Sequence, residues 1–437
     1  MPQRTDKIKL GAFWYPTGYH IAAWRHPEVP PDAGINLSHA IDFAKSVEQA
    51  AFDFIFLADS LAVKGDNWDE LSHVAHRYVG QFEPLTLLSA FSAVTSRIGL
   101  VASASTTYNH PYLLARQFAS LNHLSHGRVG WNLVTSQNPY EAAKFGYEAH
   151  PEHDQRYQRA NEFLEVMTRL WHSWDKDAFC YDKDKGIFFH PDKVHPFHFH
   201  GDFFDVKGPL NVPPHPSGSP VLVQAGASEP GRQLAAQTAE VIFSAQHDLH
   251  TAQQFYADIR HRAETYQRQQ PFPLIMTGIF PFVGRTESKA REKYEQLQNL
   301  IHDNTGLSLL SMQLGGIDLS NYDPDGPLPE IPPSNSSQSR RMLLLELAQR
   351  ENYTIRELAR HVAGARGHWQ LVGTPSQIVD EMQAWFEQYA TDGFNVMSPW
   401  LPGGMEDFIK LIIPELRHRG LFRHTYQGRT LREHLME

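Results

Sequence analysis

Four short runs in this chain hold the side chains with the most chemistry to offer: Ala58-Asp59-Ser60, Ser105-Thr106-Thr107-Tyr108, Asn132-Leu133-Val134-Thr135-Ser136 and Gln224-Ala225-Gly226-Ala227-Ser228. Together they supply hydroxyls, amides and a single carboxylate, Asp59. That set suits a neutral ligand rich in hydrogen-bonding groups, whereas a metal ion wants converging imidazoles and carboxylates. Each residue also has an ordinary use, because Asp and Ser after a strand commonly cap the next helix. Gly226-Ala227-Ser228, followed by Gly231 and Arg232 at the start of a helix, has the small residues that let backbone approach an anion. It reads as a phosphate seat, although no Gly-x-Gly-x-x-Gly or Walker pattern accompanies it.

Other chemistry is argued against. His190, His195, His198 and His200 crowd one segment, and His198-Phe199-His200 looks like the His-x-His pair of metal-dependent barrel hydrolases. Here the pair lies mid-chain among prolines, with no carboxylate arranged to complete a set, so no metal is expected. Cys180, the single cysteine, has no companion for a disulfide or a thiol mechanism. The absence of a Gly-x-Ser-x-Gly elbow removes the usual hydrolase triad. Among the many aromatic residues, Phe13, Phe56 and Phe243 are candidates to wall a dry pocket, the rest serving as barrel filling.

The elements that must position these groups follow from period. Short β-branched or aromatic runs alternate with polar turns and amphipathic stretches at helical spacing, which is the mark of a parallel α/β fold. Strands are expected at residues 8–15, 52–58, 98–103, 128–134, 220–224, 241–244, 275–283 and 394–397, with helices at 38–51, 84–94, 111–124 and 154–174 among those between them. Eight such units fit a TIM (β/α)₈ barrel, with the polar runs at the carboxyl ends of its strands, where barrel active sites lie. Two segments break the alternation, residues 175–219 and 315–339, and are expected as long insertions at the rim, the second partly mobile. Residues 1–437 are thus read as one barrel domain, and the polar tail 421–437 is expected on a surface or against a partner subunit.

Composition agrees with an enzyme of this kind. The chain has 437 residues, 41% hydrophobic and 20% charged, which excludes a disordered, fibrous or disulfide-stapled protein. A net charge of −10 without basic runs argues against nucleic acid or anionic membranes as partners. The start Met-Pro-Gln-Arg-Thr-Asp lacks the apolar core of a signal peptide and no stretch could cross a bilayer, so a cytoplasmic location is expected.

Longer stretches carry a resemblance. They include Ala23-Trp24-Arg25-His26-Pro27, Phe52 to Ser60, Glu83-Pro84-Leu85-Thr86-Leu87-Leu88-Ser89-Ala90, Gly130 to Ser136, Arg156-Tyr157, Gly208-Pro209-Leu210-Asn211 and Gly316-Ile317-Asp318-Leu319-Ser320. In these the chain resembles the bacterial luciferase-like superfamily, in its flavin-dependent monooxygenase group with nitrilotriacetate monooxygenase, pristinamycin synthase and dibenzothiophene-sulfone monooxygenase. The resemblance implies a two-component enzyme that takes FMN as FMNH2 from a separate NAD(P)H:flavin reductase. It further implies that O2 forms a C4a-hydroperoxide on the flavin, which oxygenates a small organic substrate, and that the protein is a dimer or tetramer. Carried over residue by residue, it gives Asp59, Thr106, His153, Tyr157 and Ser228 as cofactor-binding, and places the phosphate near strand five rather than after strands seven and eight. Gln137 stands where some relatives carry a His, so no catalytic His is carried over from there. Because the cofactor performs the difficult chemistry, no strong acid or base is required. His20, beside Tyr19 at the first strand's rim, is the residue expected to touch the flavin peroxide or substrate. A deazaflavin-dependent oxidoreductase and a non-catalytic flavin-binding protein remain the alternatives.

Overall fold

The computed structural model describes residues 4–226, 228–266, 268, 271–331, 338–365 and 368–437. Its centre is a closed ring of parallel strands: β1 (Lys9–Trp14), β2 (Phe54–Leu57), β3 (Gly99–Ser105), β4 (Val129–Val134), β5 (Val221–Ala225), β6 (Val241–Ser244), β7 (Leu274–Val283) and, after an edge strand β8 (Trp369–Gly373), β9 (Gly393–Met397). The ring runs β1-β2-β3-β4-β5-β6-β7-β9 and back to β1, closing through the β6–β7 pairing. All eight strands expected from the sequence are the eight of the barrel. The extra strand, β8, pairs only with the carboxyl half of β7 and stays outside the ring.

Helices cover the outside of the ring because their apolar faces have nowhere else to go. They include α1 (Leu37–Gln49), α2 (Pro84–Val94), α3 (Pro111–Leu124), α4 (His153–Trp171), α5 (Glu229–Thr238), α6 (Leu249–Thr265) and α7 (Glu287–Gln298), whereas α8 (Asp303–Gln313) packs in a separate apolar cluster with Leu344, Leu358 and Val362. Several start on a side-chain cap: Asn36 accepts from the His39 N–H at 3.0 Å, and Asp248 from that of Thr251 at 2.9 Å. Alternate residues of each strand face inward, so Phe13 sits in register with Phe56 on one side and Met397 on the other. In β7, Gly278 has no side chain, and a Cβ there would lie 2.9 Å from the Phe243 ring and 2.6 Å from His368 Nδ1. That bare position is what lets Phe243 and His368 stack, centroids 5.4 Å apart.

The segment 175–219 folds into two antiparallel hairpins, Phe179–Asp182 with Ile187–Phe189 and His198–His200 with Asp205–Lys207. Of the second insertion, 315–339, expected as partly mobile, residues 332–337 lie outside the described residues. The tail departs from expectation. Its last helix, Leu431–Met436, turns Leu431 and Leu435 into the barrel's lower core, where they are 0% and 5% exposed. Two leucines and one histidine at helical spacing were enough to bury a segment that reads as polar. Among the described residues no helix is long and apolar enough to cross a membrane.

Candidate active site

A cavity of about 350 Å³ opens at the carboxyl ends of the barrel strands. Its floor is aromatic. Phe13, Phe56 and Phe243 meet with ring centroids 5.4, 5.6 and 6.4 Å apart, and Tyr19 closes edge-on against Phe13 at 5.5 Å. These rings come from three strands and the β1 loop, and converge because the barrel brings inward-facing positions to one axis.

One end of the cavity is built from Tyr157, Ser228, Gly226 and His153. Ser228 is the N-cap of α5, and its hydroxyl lies 3.3 Å from that of Tyr157 on α4. In the first turn of α5 the Gly231 N–H donates to the Ser228 hydroxyl at 3.4 Å and the Arg232 N–H to the Ser228 carbonyl at 2.8 Å, so what the helix end offers an anion is chiefly the positive end of its dipole. Gly231 keeps the place open, since a Cβ there would stand 2.9 Å from Tyr157 Oη and 3.0 Å from Ser228 Oγ. His153, one turn before Tyr157, packs on it with ring centroids 4.9 Å apart. Ala227 lies outside the described residues. Arg232 does not line the cavity; it pairs with Asp258 at 3.1 Å.

The middle of the wall is a ring of hydrogen-bonded polar groups. Ser105 and Ser136 share a hydroxyl contact of 2.7 Å, and Asn132 donates to Ser103 at 2.7 Å. Ser136 adopts a left-handed φ of 56°, and the buried Arg156 guanidinium donates to its carbonyl oxygen. Asp59 also lines the cavity. Burial pushes its carboxyl up to about 7, nearby Glu83 and Glu141 adding to the rise and the Ser60 N–H opposing it. Glu141 accepts from the Ser60 hydroxyl at 2.7 Å and the Leu61 N–H at 3.0 Å.

Of the residues singled out in the sequence, Asp59, His153, Tyr157, Ser228, Phe13, Phe56 and Phe243 therefore line one cavity. Thr106 and His20 do not. Thr106 is fully buried with its hydroxyl turned to the Val134 carbonyl at 3.3 Å. His20, 1% exposed, accepts from the Ala22 N–H at 3.1 Å and stacks on Phe280. His198 and His200 share one surface carboxylate, Asp205, at 2.7 and 2.9 Å. Among the described residues no group of three His, Cys, Asp or Glu is placed to hold a metal. Sequence reading missed Lys64, His76 and Arg77, Glu141, Gln313 and His368, which also line the cavity. Apart from His368, which directly precedes β8, they lie away from strand ends; the polar triplet His76-Arg77-Tyr78 was the one local signal available.

The pattern of the luciferase-like monooxygenase family matches residues 14–392. N-acetyl-S-(2-succino)cysteine monooxygenase of Bacillus subtilis (strain 168) is 50% identical over 99% of this chain and 97% of its own length. Nitrilotriacetate monooxygenase component A of Aminobacter aminovorans is 44% identical over 98% and 96%. Dibenzothiophene-sulfone monooxygenase of Rhodococcus erythropolis is 40% identical over 94% and 92%. Among solved structures, a long-chain alkane monooxygenase superposes with a TM-score of 0.86 at 35% identity, covering 99% of this chain and 96% of the other. A riboflavin lyase, solved with modified FMN and riboflavin, does so with 0.87 at 30% identity over 99% and 96%.

Proposed function

The chain belongs to the luciferase-like monooxygenase family, and from that premise we propose that it is the oxygenase of a two-component pair, receiving reduced FMN from a separate NAD(P)H-dependent flavin reductase. The observation that carries this reading is the seat at one end of the cavity, where Tyr157, Ser228 and the α5 N-terminus meet beside the bare Gly231. A phosphate monoester fits that donor set. When bound, reduced FMN supplies the activation of O2. The chain's own residues do the rest: Tyr157, Ser228 and His153 hold the phosphate end, and Asp59 faces the body of the cofactor. Phe13, Phe56 and Phe243 keep water from the reacting region. Thr106 enters only through the resemblance and His20 only through its place at the first strand's rim, because their side chains are turned into the wall. The whole chain is read as one barrel unit, with 175–219 and 315–339 as its insertions.

The names of the relatives supply candidate substrates of two kinds. Nitrilotriacetate and the succinylated cysteine are polycarboxylates, whereas the sulfone and the alkane are uncharged. The test is an anaerobic titration with reduced FMN, oxidised FMN and a reduced deazaflavin, followed by turnover under ¹⁸O₂ with an added flavin reductase. Preference for reduced FMN and one labelled oxygen in the product are expected. Preference for deazaflavin, or a product without label, would overturn the proposal.

A further inference from the structure

Two buried arginines are held differently. Arg128, just before β4, engages all three guanidinium nitrogens: Nε donates to the Ser125 carbonyl oxygen at 2.7 Å, Nη1 to that of Ile98 at 2.7 Å and Nη2 to that of Thr95 at 3.0 Å. Arg156, 3% exposed on α4 and part of the cavity wall, engages one. Its Nη1 donates to the carbonyl oxygens of Thr135, at 3.4 Å, and of Ser136, while Nε and Nη2 have no acceptor among the described residues. It forms no ion pair with a described carboxylate; Glu141, on the same wall, accepts from Ser60 and Leu61 instead. A buried guanidinium with donors left over is costly unless something completes it.

The backbone that Arg156 grips adds a donor of its own. The Thr135 carbonyl oxygen also accepts from the Thr107 hydroxyl at 2.8 Å. A trans peptide directs its N–H opposite to its carbonyl, so the Ser136 N–H is turned away from Arg156 and Thr107, and it has no acceptor among the described residues. Ser136 is 7% exposed, lines the cavity and is held at a left-handed φ of 56°, uncommon for a residue with a Cβ. Buried N–H groups are seldom unpaired. The same cavity carries two unpaired acceptors, Asn132 Oδ1 and Glu141 Oε2. A ligand edge that alternates carbonyl oxygen with N–H meets both kinds, which a simple anion does not. Arg156 and Tyr157 leave α4 about 100° apart, so Arg156 reaches the end of β4 while Tyr157 reaches Ser228 beyond β5.

Resting on the flavin reading, we propose that Arg156, with the Ser136 N–H it positions, holds a carbonyl oxygen at the pyrimidine-dione end of the flavin ring and thereby selects the reduced cofactor. Reduced flavin, as its anion, carries negative charge on the N1 and C2-carbonyl side of that end, where a buried cation stabilises it more than it does the neutral oxidised ring. Glu141 and Asn132 take the neighbouring ring N–H, so the carboxylate meets a donor and the guanidinium the charged oxygen.

The test is anaerobic titration of the purified full-length protein with FMN and riboflavin, each oxidised and reduced, in the wild type, Arg156→Gln and Arg156→Lys, with a melting curve for each protein. Arg156→Gln is expected to raise the Kd of both reduced flavins about tenfold, as loss of one charge-assisted bond implies, and those of the oxidised flavins much less. A tenfold loss of that preference lowers the two-electron potential of bound flavin by about 30 mV. Arg156→Lys, which keeps the charge, should keep more of the preference. In the wild type, ¹⁵N NMR of bound reduced FMN labelled at N1 should show that nitrogen ionising at lower pH than in the free cofactor. Equal losses for reduced and oxidised flavins in Arg156→Gln would make Arg156 a clamp on the backbone alone, and a loss confined to FMN would assign it to the phosphate. Either result, or unchanged affinities in the folded variant, would overturn the proposal and leave the flavin reading standing. The N1 titration needs no variant, and ionisation at the free value in the wild type would also overturn it. A folded wild type that binds no flavin at all would overturn the flavin reading, and this proposal with it.

Discussion

The phenol of Tyr157 and the hydroxyl of Ser228 stand 3.3 Å apart although 71 positions separate them in the chain. One projects from the second turn of α4 and the other caps α5, so the pair exists only when both helices dock on the barrel. Its proposed role is to hold a phosphate. Tyr157→Phe and Ser228→Ala are each expected to weaken reduced FMN about tenfold or more, since a hydrogen bond to a charged group contributes roughly 1.5–3 kcal/mol. Riboflavin, which lacks the phosphate, should be affected much less. Gly231→Ala should act in the same direction, because its methyl must push the two hydroxyls apart. Equal losses for FMN and riboflavin in flavin titrations would remove the phosphate from this seat.

Asp59 gives a pH signature. Burial first, and Glu83 and Glu141 after it, raise its carboxyl to about 7 in the folded protein, against about 3.9 for an unfolded chain. Between those values the folded state keeps a proton that the unfolded state has released. Stability contributed by this group is therefore fully present below about pH 4 and is lost as pH rises toward about 7. Asp59→Asn has no such titration. The melting temperature of the wild type, measured relative to that variant, is expected to fall across this window and level off above it. Parallel curves for the two proteins would show that Asp59 titrates normally.

The barrel was legible because its strands are short apolar runs bounded by turn residues, and a buried parallel strand has little freedom to look otherwise. The edge strand β8 was not. Its five residues, Trp369-Gln370-Leu371-Val372-Gly373, mix exposed and buried positions and pair with one neighbour only. The candidate site divides in the same way. Asp59 and Ser228 sit just beyond strands, where position in the chain announces position in the barrel. Lys64, His76 and Gln313 reach the cavity from a loop and an inserted helix, and nothing local brings them together. The base of the barrel was misread for a different reason: the tail's Arg, His and Tyr signal solvent by composition, yet they pair with buried partners.

Those partners yield a stability test. Asp53 is 0% exposed, accepts the Leu10 N–H at 2.6 Å and holds the Arg423 guanidinium, which also donates to the His434 carbonyl at 2.9 Å. Arg423→Met strands a buried carboxylate, which typically costs about 3–5 kcal/mol. Leu431→Ala leaves a hole in the lower core, at about 2–5 kcal/mol. Both should lower the denaturant midpoint, while reduced-FMN affinity of the folded fraction stays as in the wild type, since the cavity lies at the opposite end. Loss of flavin affinity in a folded variant would mean that the two ends of the barrel are coupled.

The aromatic floor carries the last expectation. Phe56 meets Phe13 and Phe243 with centroids 5.4 and 5.6 Å away, and Phe243 is backed by the His368 ring. Oxygen activation on a reduced flavin is productive only where water is kept out. Truncating Phe56 or Phe243 to Ala opens room for water without removing any group that holds the phosphate. NADH and O2 consumption in the presence of a flavin reductase should therefore persist, while product per NADH falls and H2O2 rises. Destabilisation competes with this outcome, because Phe→Ala in a core costs about 3–5 kcal/mol, so a melting curve accompanies each assay. Phe56→Leu separates the two effects, since it restores most of the buried volume and should recover much of the coupling. A folded Ala variant that makes as much product per NADH as the wild type would reduce these rings to barrel filling.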